Sequence, residues 1–180
     1  MREFTLQEYF IFQDLSDYKS EFYQGEILAM PGSSHKHNVI VARIGAMLDQ
    51  CSLAKEDDCW IYLHDMQLHV RLCGLTCYPD IMACCGDAEF LEGKENLVLL
   101  NPVIIGEVLS PSTAKYDRAN KLPCYLTIPS VEVVFLVHQD QKKIEIYRKI
   151  NGWEPEIYTE GFCSLIDCEI DIERVYRKLF

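Results

Sequence analysis

The sequence predicts an α/β fold in which a mixed central β-sheet is flanked by helices. Three observations predict it. The chain has 180 residues, enough for one domain with its own core. Segments with period-two apolar patterning alternate along the chain with segments at helical spacing. No internal repeat, low-complexity tract or linker interrupts that order, so residues 1–180 are expected to form a single domain.

Taken in order, Thr5-Leu6-Gln7-Glu8 fits a capping box and predicts a helix to about Gln13. Glu21-Phe22-Tyr23 and the run Glu26 to Met30 flank Gln24-Gly25, which predicts a hairpin with glycine at positive φ. Pro31 to Ser34 breaks the pattern. Ile40, Ile44, Met47, Leu48 and Cys51 then share a helical stripe over roughly 35–54. Cys59 to Leu63, Gln67 to Leu72 and Cys77 to Cys84 read as strands, the last with Pro79 near its start. Residues 86–100 read as irregular. Val103 to Leu109 is an apolar strand interrupted only by Glu107. Ser110-Pro111-Ser112-Thr113 starts a helix, and Pro123 predicts a kink or stop near Leu122. Val131 to His138 and Lys143 to Arg148 form a second hairpin. Trp153 to Thr159 reads as the last strand, and Asp171 to Leu179 as a terminal helix.

Composition narrows the function. Hydrophobic residues make up 49% and charged residues 25%, the mix of a globular chain. No apolar run approaches bilayer length, so no membrane association is expected. The start Met1-Arg2-Glu3-Phe4 has no apolar signal core, which points to a cytoplasmic protein. The net charge is −11. The first ninety residues carry −8 and the last ninety −3. A chain that grips nucleic acid tightly shows a basic stripe, and the acidic balance here argues for weak binding. The local cations available are Lys115, Arg118 and Lys121.

The nine cysteines are odd in number, and in a cytoplasmic setting they argue against a disulfide framework. Cys73, Cys77, Cys84 and Cys85 admit a zinc reading, but paired ligand spacing is missing. Small apolar positions on strands explain them better.

Two acids stand where a charge is costly. Asp80 follows Tyr78-Pro79 in a buried-reading strand, and Glu107 sits in the most apolar strand. Adjacent carboxylates in a dry cleft repel each other, and a divalent cation relieves that repulsion. A structural ion pair to Arg or Lys is the competing explanation. Asp117 and Lys121, at i and i+4, share a helix face and could form an exposed salt bridge. Glu26 reads either as a solvated hairpin residue or as a third acid at the sheet edge. His37 falls on the apolar side of its helix and reads as a hydrogen-bonded core histidine.

Pro79-Asp80, Glu107-Val108-Leu109-Ser110-Pro111-Ser112-Thr113, Asp117-Arg118, Lys121 and Tyr125 together resemble the Uma-type family of small bacterial proteins, described as candidate restriction endonucleases. Glu21-Phe22-Tyr23-Gln24-Gly25-Glu26, Met30-Pro31, His37 and Ile40 resemble the family's opening segment, with Gln24 in place of its usual Asp. The resemblance runs from Thr5 to about Tyr176. It implies a restriction-endonuclease-like fold of the PD-(D/E)XK superfamily and a Mg²⁺- or Mn²⁺-dependent endonuclease acting on nucleic acid, DNA foremost, as a homodimer. By the resemblance, Asp80 and Glu107 are metal ligands, Glu26 is the auxiliary acid, with Glu21 its competitor, and His37 is a group near the metal cleft. Leu109 occupies the position of the motif's lysine, and Lys121 on the following helix takes that role. A non-catalytic nuclease-fold module working with a partner protein is the alternative, which the charge favours.

Overall fold

The computed structural model describes residues 3–55 and 58–180. The capping box forms as the sequence predicts. Thr5 Oγ1 accepts from the Glu8 N–H at 3.2 Å, and the Glu8 carboxylate accepts from the Thr5 N–H at 2.8 Å. Helix α1 follows over Leu6–Leu15. Strands β1 (Ser20–Tyr23) and β2 (Glu26–Ala29) turn through Gln24 and Gly25, both at positive φ, which suits the twist of a two-residue hairpin. Helix α2 spans His35–Lys55. Strands β3 (Cys59–Leu63), β4 (Gln67–Val70), β5 (Leu75–Cys77), β6 (Ile81–Cys85), β7 (Val98–Leu99) and β8 (Ile104–Leu109) come next.

The helical segment after β8 does not stop at Leu122. It runs as α3 (Ala114–Tyr116), one wide π turn (Asp117–Lys121) and α4 (Leu122–Tyr125). Pro123 falls in the first turn of α4, where its missing N–H costs little. Strands β9 (Val133–His138), β10 (Ile144–Arg148), β11 (Pro155–Tyr158), β12 (Phe162–Leu165) and β13 (Cys168–Asp171) and helix α5 (Ile172–Tyr176) complete the chain.

A single sheet was expected, and the described strands instead divide among three. A six-stranded sheet has the order β11-β10-β9-β8-β6-β3, and a five-stranded sheet the order β2-β1-β5-β4-β7. Strands β12 and β13, beyond the strand expected to be last, form a separate hairpin. The expected strand Cys77 to Cys84 is really a crossing. β5 ends in the five-stranded sheet, Tyr78-Pro79-Asp80 breaks the pairing, and β6 begins in the six-stranded sheet. Asp80 therefore stands where the chain passes between the sheets.

Packing follows the strand alternation. Ile104 and Val108 of β8 face α2, α5 and the β12–β13 hairpin, in a core with Ile40, Val41, Ile44 and Leu48 of α2. Each such fully buried aliphatic side chain contributes about 1.5–3 kcal/mol. Ile105 of β8 and Met82 and Cys84 of β6 face the other way, onto Leu68, Leu75 and Cys77 of the five-stranded sheet and Cys124 and Tyr125 of α4. Helix α1 covers the outer side of the smaller sheet through Tyr9 and Phe10 against Phe22 and Val98.

The cysteine expectation is overturned. Cys51–Cys168, Cys59–Cys85 and Cys73–Cys124 form disulfides, and Cys77, Cys84 and Cys163 stay buried and free. Cys59 and Cys85 are direct partners across the β3–β6 ladder. The Cys73 and Cys85 thiols are thereby unavailable to a zinc site.

Candidate active site

Strands β6 and β8 are antiparallel neighbours, with Ile81 opposite Gly106. One step beyond that pair, Asp80 and Glu107 come opposite each other. Both share the strand parity of Met82 and Ile105, so both turn toward the second sheet. The two acids line one cavity of about 500 Å³, together with Glu21, His37, Tyr116, Asp117 and Lys121. That volume is in the range of small-molecule and substrate clefts. The wide turn over Asp117–Lys121 puts Asp117 and Lys121 on the cavity wall rather than in solvent, and each is less than a tenth exposed.

Lys121 is the hub. Its Nζ lies 2.8 Å from Glu21 Oε1, 3.4 Å from Glu107 Oε1 and 3.5 Å from Asp117 Oδ1. The exposed Asp117–Lys121 salt bridge considered from the sequence is thus an internal one. Burial disfavours the ammonium, but the carboxylates of Glu107 and Glu21 outweigh it and hold the Lys121 pKa well above its ordinary value. Burial drives Glu107 and Asp117 upward against the pull of the same ammonium. One cation thus faces three buried or nearly buried carboxyls. Tyr125, itself kept protonated by burial, donates to Glu107 Oε1 at 2.6 Å and fixes that carboxyl.

Asp80 is held by different means. Its Oδ2 accepts from the Val108 backbone N–H at 2.8 Å and lies 3.0 Å from His37 Nε2, and His64 Nδ1 lies 3.6 Å from Oδ1. Burial opposes its charge, yet the two histidines and the Val108 N–H hold the carboxyl well below the usual range. His37 is therefore at the cleft as well as against the core. His64 adopts φ of +60° in the turn after β3, and no sequence signal marked it.

Of the two acids considered for the auxiliary position, Glu21 lines the cavity and Glu26 lies outside it. Both carboxylates are on one face of the β1–β2 hairpin, but Glu21 pairs opposite Leu28 at the cavity wall, whereas Glu26 pairs opposite Tyr23 nearer the turn and is exposed. The expected cation patch also dissolves. Lys121 is internal, Arg118 forms a two-pronged pair with Glu145 at 2.7 and 2.9 Å, and Lys115 alone of the three is exposed and without an ion pair among the described residues.

The donor set suits a hard divalent cation better than a soft one. Lys121 and Tyr125 both engage Oε1 of Glu107, and no hydrogen bond from the described residues reaches Oε2. Among the described residues no three His, Cys, Asp or Glu side chains are gathered to hold a metal unaided. Mg²⁺ does not need such a cage, because it commonly takes one or two carboxylates and fills its shell with water and phosphate oxygens. Asp80 and Glu107 are the residues that would hold it.

Known proteins share this arrangement of chain. A crystal structure of a putative nuclease belonging to DUF820 from Anabaena variabilis ATCC 29413 superposes with a TM-score of 0.70, covering 94% of this chain and 97% of that one at 18% identity. The fold is therefore that of a nuclease-like protein. Two proteins of Synechocystis sp. (strain ATCC 27184 / PCC 6803 / Kazusa) are each 31% identical. The match to sll1609 covers 81% of both chains, and that to slr1290 covers 79% of this chain and 73% of the relative. No helix of the described residues is long and apolar enough to cross a membrane. The model of one family matches residues 6–170, and the chain belongs to that family, Uma2, described as "Putative restriction endonuclease".

Proposed function

We propose that the protein is a divalent-metal-dependent phosphodiesterase that cuts nucleic acid. The observation that carries this reading is Lys121, clamped between Glu21 and Glu107 at the wall of the cavity that Asp80 also lines. A divalent cation at Asp80 and Glu107 would supply charge neutralisation at the scissile phosphate and a lowered pKa for water.

The chain's own residues do the rest. Tyr125 and Lys121 hold Glu107 in one orientation, and the Val108 N–H and His37 hold Asp80 in another. That pre-sets the two carboxylates before substrate arrives. The Lys121 ammonium orients the attacking water and stabilises negative charge growing on the phosphoryl oxygens. Glu21 keeps the ammonium in place and protonated. Hydrolysis adds water across one P–O bond, leaving a phosphate monoester on one product and a hydroxyl on the other.

A non-catalytic module remains the second reading. The observation in its favour is the net charge of −11, which opposes approach of a polyanion. Incubation of labelled DNA and RNA oligonucleotides with Mg²⁺, Mn²⁺ or EDTA separates the two. The proposal expects metal-dependent products with wild type and none with Glu107→Gln. Intact substrates under every metal condition would favour the module.

A further inference from the structure

A second surface has the charge the cavity mouth lacks. Lys142, Arg174, Arg177 and Lys178 line a groove of about 540 Å³ together with Asp171, Glu173, Tyr176 and Phe180. Four cations there oppose two carboxylates, in a chain whose net charge is −11. Lys142 is paired with Glu173 at 2.6 Å. Arg174, Arg177 and Lys178 are exposed and make no ion pair among the described residues. Their segment is anchored, because Arg43 of α2 donates to the backbone carbonyls of Val175 and Arg177 at 2.9 and 2.8 Å. The aromatic floor is partly open. Phe180 is 58% exposed, with the Lys36 ammonium 4.5 Å from its ring centroid and Tyr176 5.8 Å away.

Two short connections run between the groove and the cavity. Lys36 is followed in α2 by His37, which lines the cavity. Ser34 Oγ donates to Gln139 Oε1 at 2.6 Å, which joins the start of α2 to the β9–β10 turn that also carries Lys142. We propose that this groove binds a single strand of nucleic acid beside the catalytic cavity, phosphates on Arg174, Arg177 and Lys178 and a base against Phe180. Free cations tracking a backbone next to an exposed ring are what single-strand sites combine. The proposal rests on the phosphodiesterase reading for its substrate and adds where the strand lies outside the cavity.

The test compares a groove variant, Arg174→Ala/Arg177→Ala/Lys178→Ala, with a charge-matched control, Lys19→Ala/Lys55→Ala/Lys149→Ala. A milder Arg174→Gln/Arg177→Gln variant replaces the triple one if that fails to fold. Binding of a labelled oligothymidylate of about 20 nucleotides is read by fluorescence anisotropy across salt concentrations. Hydrolysis of bis-p-nitrophenyl phosphate, too small to need the groove, is read in parallel. The groove variant is expected to bind about 10–100-fold more weakly at low salt, with a salt slope smaller in magnitude by about 2. The control should bind like wild type, and the small diester should be hydrolysed equally by all. Phe180→Ala should weaken single-strand binding by about five- to a hundredfold and duplex binding little. Equal losses in groove variant and control, or no loss in the groove variant, would overturn the groove. Equal effects of Phe180→Ala on single strand and duplex would overturn the single-strand assignment. Groove-dependent binding without any diester hydrolysis would instead sink the catalytic reading and leave the groove standing.

Discussion

The Lys121 ammonium lies 2.8 Å from Glu21 of β1 and 3.4 Å from Glu107 of β8, so one side chain ties together strands from two different sheets. Asp117 adds a third carboxyl at 3.5 Å. Lys121→Met would strand all three and, where they stay ionised, cost about 3–5 kcal/mol. Glu107 and Asp117 already sit above their ordinary pKa through burial, and losing the ammonium raises them further. A group with a raised folded pKa contributes stability below its unfolded pKa and loses it as pH rises through the folded value. The Lys121→Met deficit should therefore be small near about pH 5 and large near about pH 8, with EDTA present throughout. Urea unfolding at the two pH values checks this, and an equal deficit at both would contradict it.

Gly106 permits the strand pairing that carries Glu107. A Cβ there would lie 2.1 Å from Phe135 Cζ, and Phe135 is the direct neighbour of Gly106 in the β8–β9 ladder. The ring is fully packed and cannot step aside cheaply. Gly106→Ala should cost about 1–3 kcal/mol by overpacking, and Phe135→Leu should recover part of it. Thermal unfolding of the single and double variants gives the answer, and an additive double variant would refute the clash.

Glu145 anchors a network on the far side of the same helical segment. Burial opposes its charge, but hydrogen bonds from Arg118, Lys143 and His138 hold its carboxyl well below the ordinary range. The sign is opposite to that at Glu107. A lowered folded pKa gives stability above the unfolded value, lost as pH falls toward the folded one. Glu145→Gln should cost about 2–3 kcal/mol at neutral pH, and the gap to wild type should close in acid. Stability curves from neutral to about pH 3 decide it, with a pH-independent gap as the adverse result.

The disulfides give a direct chemical count. Alkylation of the unfolded, unreduced chain should modify Cys77, Cys84 and Cys163 alone, and prior reduction should expose all nine cysteines. Reduction should also lower stability, typically by about 2–4 kcal/mol per bridge lost. Mass spectrometry of the alkylated chain reads the first outcome, and nine modified cysteines without reductant would rule the bridges out.

Much of the site was legible because burial and charge conflict in the sequence itself. Glu107 interrupts an apolar strand, and Asp80 follows a proline that ends one strand and precedes another. Lys121 was legible through its i, i+4 partner Asp117 and the resemblance. The choice between Glu21 and Glu26 was not, because both fall on one hairpin face and only the register against the second sheet separates them. The β12–β13 hairpin escaped because its turn places Ile166, a β-branched residue, at positive φ, where a glycine or asparagine would have signalled it. The disulfides escaped because their partners are 117, 26 and 51 residues apart, a separation only the completed topology closes. The basic groove was hidden by an average: Arg174, Arg177 and Lys178 stand within five residues of one another but are diluted by an acidic chain, and the fold adds Lys142 from the β9–β10 turn.

The proposed divalent-cation site is formed by Asp80 and Glu107 beside Lys121. Four unfolding curves test it most directly: wild type and Asp80→Asn, each in EDTA and in saturating Mn²⁺. A ligand bound only by the folded state stabilises it by about 2.7 kcal/mol at one hundred times its dissociation constant. Wild type should gain stability on that scale and Asp80→Asn much less. Identical wild-type curves in EDTA and Mn²⁺ would contradict the account, leaving the two acids as structural partners of His37 and Lys121.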